Sequence, residues 1–235
     1  MAPALFAAQK PNIIFIMADD LGYSELGSYG QKKIKTPNID QLAKEGMRFT
    51  ANYSGNAVCA PSRCVLMTGK HPGHAIVRNN KAMKPEGQHP IPDSEVTIGE
   101  LLQKEGYVTG AFGKWGLGNT WSTGNPTKQG FNRFFGYNCQ AHAHSYYPAT
   151  LWSNNELYKL NNKPPVPGHA SLPKGADSTD PHSYDIFKGA DYAPDRINDR
   201  ALAFIQKNKA RPFYLYYPTV IPHVALHVPD EELKP

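Results

Sequence analysis

The sequence predicts an α/β domain built around a mainly parallel β-sheet. Three apolar runs carry this prediction, at residues 12–18, 107–112 and 212–217, and predicted helices lie between them. Strands that alternate with helices at this spacing are typical of βαβ units, whose strands run parallel.

The first apolar run is short, continuous and rich in β-branched side chains, which favours a strand buried on both faces. A helix is predicted after it at residues 36–46. Thr36 would cap this helix, Pro37 would occupy its first turn and Gly46 would end it.

A second helix is predicted to begin after Thr97, because Thr97 and Glu100 have the spacing of a capping box. Gly106 would end this helix, and residues 107–112 would form the next strand.

The third helix is predicted at residues 195–208, before the strand at 212–217. Its pattern is amphipathic and places four apolar side chains on one side, namely Ile197, Ala201, Leu202 and Ile205.

The composition excludes several classes of protein. The 235 residues are 40% hydrophobic and 11% aromatic, which is incompatible with a mainly disordered chain. The net charge of +5 is small and scattered, so nucleic acid is not expected as a partner, and no apolar stretch is long enough to predict a membrane span. Three cysteines are too few for a disulfide scaffold, and because their number is odd at least one is free of an internal disulfide.

The first residues are small and apolar. Residues 1–8 are interpreted as the remnant of an export signal, which would place the protein in the periplasm or outside the cell, and residues 9–235 as the folded domain.

Polar side chains follow each of the three predicted strands. Asp19 and Asp20 follow the first, Lys114 follows the second and His223 follows the third. Because sites in parallel sheets form at the carboxyl ends of the strands, these residues predict an active site. The adjacent carboxylates are either a solvated strand end or oxygen ligands for Ca²⁺ or Mg²⁺.

The most specific signal begins at Cys59, which opens the segment C-A-P-S-R-C-V-L-M-T-G. This segment resembles the signature of type I sulfatases, which depend on formylglycine. Four further motifs resemble that family in order and spacing: P-N-I-I-F-I-M-A-D-D-L-G at 11–22, T-P-N-I-D-Q-L-A-K-E-G at 36–46, G-K-W-G-L-G at 113–118 and P-H at 222–223.

The resemblance implies an alkaline phosphatase-like α/β fold, with a mixed, mostly parallel sheet flanked by helices. It implies a sulfuric ester hydrolase that acts on an aryl or carbohydrate sulfate, as a small molecule or a glycan. A separate maturation enzyme would oxidise Cys59 to Cα-formylglycine, whose hydrate would bind a divalent metal together with Asp19 and Asp20. The family favours Ca²⁺, with Mg²⁺ as the alternative.

The resemblance also assigns roles to three further side chains. Arg63 would orient the geminal diol, and Lys114 would contact the sulfate and the nucleophile. His223 would contact the ester and help to protonate the leaving oxygen.

One position departs from the family pattern. Gly116 stands where many members carry a histidine that serves as the base in sulfate release. His144, in the stretch Q-A-H-A-H-S-Y-Y-P, is the preferred candidate for a replacement, and His142 is the alternative.

The family carries further metal ligands and another active-site lysine C-terminal to the matched histidine. The chain is therefore interpreted as an incomplete, C-terminally truncated catalytic domain, whose sheet would present an unpaired edge.

Two other functions stay open: a phosphoesterase or phosphonate hydrolase of the same superfamily, and an inert sulfatase fragment. Cys59 favours the sulfatase, because the related phosphatases usually carry serine or threonine there. Residues 119–192 form either the sugar-binding segment or an ordinary surface loop.

Overall fold

The computed structural model describes residues 10–233. Its centre is a six-stranded sheet whose strands are β1 (Ile13–Met17), β2 (Val108–Lys114), β3 (Arg133–Tyr137), β4 (Thr150–Ser153), β5 (Glu156–Lys159) and β6 (Phe213–Pro218). The export remnant predicted at residues 1–8 lies outside the described residues.

The strand order is β1-β6-β2-β3-β4-β5. The first four strands in this order are mutually parallel, whereas β4 and β5 pair antiparallel to their neighbours. The sheet is therefore mixed and mostly parallel, as predicted. Because β1, β6 and β2 are neighbours, their carboxyl ends meet at one edge.

The α-helices of the described residues are α1 (Pro37–Glu45), α2 (Cys59–Thr68), α3 (Ile98–Lys104) and α4 (Ala193–Asn208). Helices α2, α3 and α4 pack on the sheet, whereas α1 has no buried residue and packs against the short turn at residues 27–29. The capping box of α3 is confirmed, because the Glu100 amide donates to Thr97 Oγ1 and the Thr97 amide donates to Glu100 Oε2.

Helix α1 begins at Pro37 and is followed by Gly46, as predicted, but the Thr36 side chain does not cap it. The hydroxyl of Thr36 instead accepts the Gly27 amide at 2.9 Å and donates to Asp40 at 3.1 Å. Thr36 therefore ties the helix to the preceding turn.

The core lies on both faces of the sheet, and side chains of β6 alternate between them. Tyr214 and Tyr216 pack with Trp115 and Phe131 on the side of α2 and α3, whereas Phe213 and Leu215 pack on the side of α4. This alternation is the two-residue period of a strand.

The predicted buried face of α4 is partly wrong. Ile197, Ala201 and Phe204 are buried, but Leu202 is 52% exposed. The buried residues Ile197, Ala201 and Phe204 are spaced four and three residues apart and therefore lie on one face of the helix. Leu202 follows Ala201 directly and is turned about 100° away from that face.

The prediction that the first strand is buried on both faces is also wrong. Strand β1 is an edge strand that pairs only with β6 among residues 10–233. Its central side chains Ile14, Phe15 and Ile16 are exposed, the last to 65%. An apolar run reports only that a strand can be buried, whereas the neighbours that cover it are set by tertiary structure.

Candidate active site

The carboxyl ends of β1 and β2 bring oppositely charged side chains into direct contact. Lys114, the last residue of β2, places its Nζ 2.6 Å from Asp19 Oδ2, and Arg63 Nη2 lies 3.5 Å from Asp19 Oδ1. Arg63 Nη1 also donates to the Lys114 carbonyl oxygen. All three side chains are buried, and Lys114 has no exposed surface. Two cations thus hold one buried carboxylate in place.

Cys59 begins helix α2, and its half-buried side chain faces this cluster. Lys114 Nζ lies 3.6 Å from Cys59 Sγ. Arg63 follows four residues later on the same helix, so the two side chains lie on the same face. The helix begins at Cys59 itself. The first turn of a helix favours negative charge, which suits a site for an anionic substrate.

Asp20 lies beside the buried cluster and has a left-handed backbone conformation, with φ of 61°. Its carboxylate is 60% exposed and lies 3.5 Å from His223 Nε2. The Asp19 amide donates to the Ile221 carbonyl at 3.2 Å, which joins the end of β1 to the loop that carries His223. A non-glycine residue in this conformation is strained, and such strain is common at functional sites.

His223 belongs to a group of three parallel imidazole rings with His144 and His169. The His144 ring centre lies 3.9 Å from that of His169 and 5.0 Å from that of His223, with the planes within 10° of parallel. His223 Nδ1 and His169 Nε2 both contact the Val224 carbonyl oxygen. A carbonyl oxygen only accepts hydrogen bonds, so His223 Nδ1 and His169 Nε2 each carry a proton. The other ring nitrogen of His223, Nε2, faces Asp20.

Burial, together with the nearby His169, lowers the pKa of His144 from 6.5 to about 4. His144 is therefore neutral near pH 7 and can accept a proton. His142, the alternative candidate, is held away from this group, because its Nδ1 contacts Glu86 Oε1 at 2.9 Å.

Gly116 adopts φ of +77°, and a Cβ placed there would collide with the side-chain nitrogen of Gln140. Gln140 is buried, and neither polar atom of its side chain has a partner within the described part of the chain. The same Cβ would lie 3.5 Å from Arg63 Cδ. Gln140 thus fills the space that a side chain at position 116 would need.

Sequence reasoning missed residues that position the site rather than act in it. The Tyr146 hydroxyl donates to the Val220 and His223 carbonyl oxygens and so supports the histidine loop. Asn80 accepts the Ala60 amide at 3.0 Å and so holds the first turn of α2. The stretch Q-A-H-A-H-S-Y-Y-P contains Gln140, His144 and Tyr146, so the motif pointed to the region but not to the individual contacts.

The donor set fits a divalent cation. Asp19, Cys59 and His223 each place one donor atom within 4.8 Å of the other two, and Asp20 adds a second carboxylate beside them. Ca²⁺ and Mg²⁺ prefer such carboxylate oxygens, and Ca²⁺ takes about six to eight oxygen ligands. Asp19 and Asp20 would therefore supply part of a coordination shell. A cavity of about 240 Å³ opens onto Asp19, Asp20 and Cys59.

Two carboxylates, a buried lysine and a histidine follow the strand ends, and a cysteine begins the adjacent helix; this arrangement is similar to the sites of hydrolases that cleave esters of inorganic acids. The family model for sulfatases matches residues 11–234, and the chain belongs to the sulfatase family. This confirms the family resemblance drawn from the motifs, including the alkaline phosphatase-like fold.

Two curated relatives illustrate the similarity. Bovine arylsulfatase A is 44% identical over 137 residues, which cover 58% of this chain and 27% of the relative. Rat N-acetylgalactosamine-6-sulfatase is 33% identical over 237 residues, which cover 97% of this chain and 42% of the relative. The chain thus spans less than half the length of these two relatives.

Solved structures agree with this assignment. The crystal structure of Ps i-CgsB in complex with k-i-k-neocarrahexaose matches with a TM-score of 0.76 and 31% identity, over 96% of this chain and 48% of that one. The structure of BT4656 in complex with its substrate D-glucosamine-2-N,6-O-disulfate matches with a TM-score of 0.67 and 28% identity, over 92% of this chain and 35% of that one. No helix among the described residues is both long and apolar enough to cross a membrane.

Proposed function

We propose that this chain carries catalytic residues of a sulfuric ester hydrolase that cleaves an aryl or carbohydrate sulfate, with the nucleophile derived from Cys59. The observation that carries the proposal is the contact between Cys59 and the buried charge cluster. Lys114 lies 3.6 Å from the sulfur and 2.6 Å from Asp19, and Asp19 also contacts Arg63. A sulfate ester carries negative charge, and this cluster offers two cations beside the nucleophile.

The proposed modification explains why a cysteine occupies this place. A thiol could accept the sulfate group but has no second group to release it. The hydrate of formylglycine has two hydroxyls on one carbon, one to attack sulfur and one to release the sulfate. Ca²⁺, with Mg²⁺ as the alternative, would be held by Asp19, Asp20 and the modified residue 59, and would polarise the sulfate oxygens.

We assign the proton transfers to two histidines. In the first half of the reaction one hydroxyl of the hydrate attacks sulfur, and the bond between sulfur and the alcohol oxygen breaks. His223 acts with both ring nitrogens protonated: it keeps the Nδ1 proton on the Val224 carbonyl and gives the Nε2 proton, which faces Asp20, to the alcohol oxygen. In the second half the bond between the carbon of residue 59 and the sulfate oxygen breaks, and a base takes the proton of the remaining hydroxyl as the aldehyde forms again. His144 is neutral near pH 7 and lies against His223, and Gly116 offers no side chain, so we assign this role to His144.

The substrate class and the cellular location are further parts of the proposal. The names of N-acetylgalactosamine-6-sulfatase and of the D-glucosamine-2-N,6-O-disulfate complex of BT4656 refer to sulfated sugars, so we propose a sulfated glycan as the substrate. We also propose that the protein is exported to the periplasm or beyond the cell, and that a formylglycine-generating enzyme is its maturation partner. Recovery of the mature protein in the periplasmic or culture fraction tests the location.

The experiment that tests the mechanism is peptide mass spectrometry across Cys59, on protein expressed with and without a formylglycine-generating enzyme. Conversion of the thiol to the aldehyde removes about 18 Da. The peptide that contains Cys139, another free thiol, is the internal control and must keep its mass. Turnover of para-nitrophenyl sulfate is then measured with added Ca²⁺, beside para-nitrophenyl phosphate.

The outcomes separate the alternatives. Modification with turnover of the sulfate ester supports the proposal, whereas preferential turnover of the phosphate ester indicates a phosphoesterase. Modification without turnover of either ester indicates an inert sulfatase fragment. An unmodified Cys59 in the presence of the maturation enzyme refutes the mechanism for this chain.

A further inference from the structure

A second cavity, of about 490 Å³, begins at the exposed edge of the histidine group. We call it the outer pocket and define it by His169, Leu172, Tyr184, Phe187, Lys188 and Leu226, which lie on its wall. We infer that the outer pocket binds an uncharged sugar ring of the sulfate ester. This inference rests on the proposed function and adds a binding site to it.

Its position links the outer pocket to the reacting groups. The His169 ring belongs to the pocket wall, and its centre lies 5.6 Å from that of His223. His169 also shares the Val224 carbonyl with His223, and Val224 lines the same pocket. An organic group that rests against His169 therefore stands next to the proposed proton donor for the leaving oxygen.

The lining suits a sugar ring rather than a second sulfate. Tyr184 and Phe187 offer aromatic surface, and Tyr184 is 42% exposed. The Lys188 ammonium is already paired, at 3.0 Å from Asp185 and 3.2 Å from Asp230. Because these carboxylates balance its charge, the wall has little to attract an anion, while aromatic rings beside polar groups are typical of sites for small organic ligands.

Leu226 gives independent support. It has a left-handed backbone conformation, with φ of 58°, and its apolar side chain is 63% exposed on the pocket wall. The neighbouring His227 is buried and accepts the Tyr146 amide, while the Tyr192 hydroxyl donates to the His227 carbonyl. These contacts hold Leu226 outwards in a strained conformation that places apolar surface towards the pocket, and strain of this kind marks ligand-binding segments.

The test is ligand binding by the full chain, measured by NMR titration with N-acetylgalactosamine-6-sulfate and with unsulfated N-acetylgalactosamine. We expect both sugars to bind. Tyr184→Ala and Leu226→Asn should each raise the Kd of both by about tenfold. Asparagine tolerates the left-handed conformation, so Leu226→Asn should leave Tm unchanged or raise it. A merely structural role for Leu226 would instead lower Tm.

Phe49→Ala is the matched control, because Phe49 is an aromatic residue outside the pocket and outside residues 119–192 that is 60% exposed. It should change the Kd by less than about twofold. The inference is overturned if neither sugar binds, if the pocket variants bind as tightly as the wild type, or if only Phe49→Ala weakens binding. Turnover of para-nitrophenyl sulfate does not need a sugar, so turnover without sugar binding refutes this inference alone, and sugar binding without turnover refutes the proposed function alone.

Discussion

The buried ion pair between Lys114 and Asp19 allows the effect of Lys114→Met on the free energy of unfolding to be worked out from the structure. Lys114→Met keeps the length and apolar stem of the side chain but removes its charge, so Asp19 loses the cation 2.6 Å away. Asp19 is 5% exposed and cannot recover its hydration without local rearrangement. Its remaining described cation is Arg63, at 3.5 Å.

The size of the effect follows from these distances. With an effective dielectric constant of about 20, the attraction at 2.6 Å is about 6 kcal/mol, and that to Arg63 at 3.5 Å is about 5 kcal/mol. Removing one partner of a buried pair costs about 3–5 kcal/mol. Because Arg63 remains, we expect the lower end, about 3 kcal/mol, which corresponds to a fall in Tm of about 6–12 °C for a chain of this size.

The assay is urea unfolding followed by circular dichroism, in a buffer that contains a chelator so that no bound cation compensates Asp19. The double variant Lys114→Met/Asp19→Asn is the control. It removes both charges, and we expect it to recover about 1–2 kcal/mol relative to Lys114→Met alone. A loss below about 1 kcal/mol in the single variant, or a double variant less stable than Lys114→Met, would refute the view that an uncompensated buried carboxylate is the cause.

Three further predictions concern stability. Thr97→Ala removes the capping box of α3 and should cost about 1 kcal/mol in urea unfolding, and a change below about 0.3 kcal/mol would contradict the cap. Gly116→Ala should lower the free energy of unfolding by about 2 kcal/mol, because it combines a left-handed backbone conformation with a collision against Gln140. Adding Gln140→Ala should recover part of this loss, and strictly additive effects of the two substitutions would show that the collision is absent. His144 has a folded-state pKa of about 4, below its usual 6.5, so the unfolded state binds more protons between these values and stability rises with pH across that window. When the pH is lowered from 6.5 to about 4, the Tm of His144→Gln should therefore fall by less than that of the wild type. An equal fall in both proteins would exclude His144 as the cause.

The sequence predicted the parts of the fold that depend on local patterns. The capping box of α3, the presence of α4 and the strands β2 and β6 each follow from residues that are neighbours in the chain, whereas the buried face of α4 was predicted only in part. The family resemblance of the motif at Cys59 implied a role for Arg63, and in the structure both residues belong to α2. Strands β3, β4 and β5 lie in the segment rich in proline, glycine and asparagine, where no local pattern predicted them.

The sequence by itself determined the fold class, the family and the set of charged residues at the strand ends, since each of these is written in short motifs and periodicities. Tertiary structure alone decided which strand of the described sheet lies at its edge, that His144 rather than His142 joins His223, and that Gln140 fills the space beside Gly116. The physical reason is that burial, ring stacking and steric exclusion depend on residues brought together from distant parts of the chain.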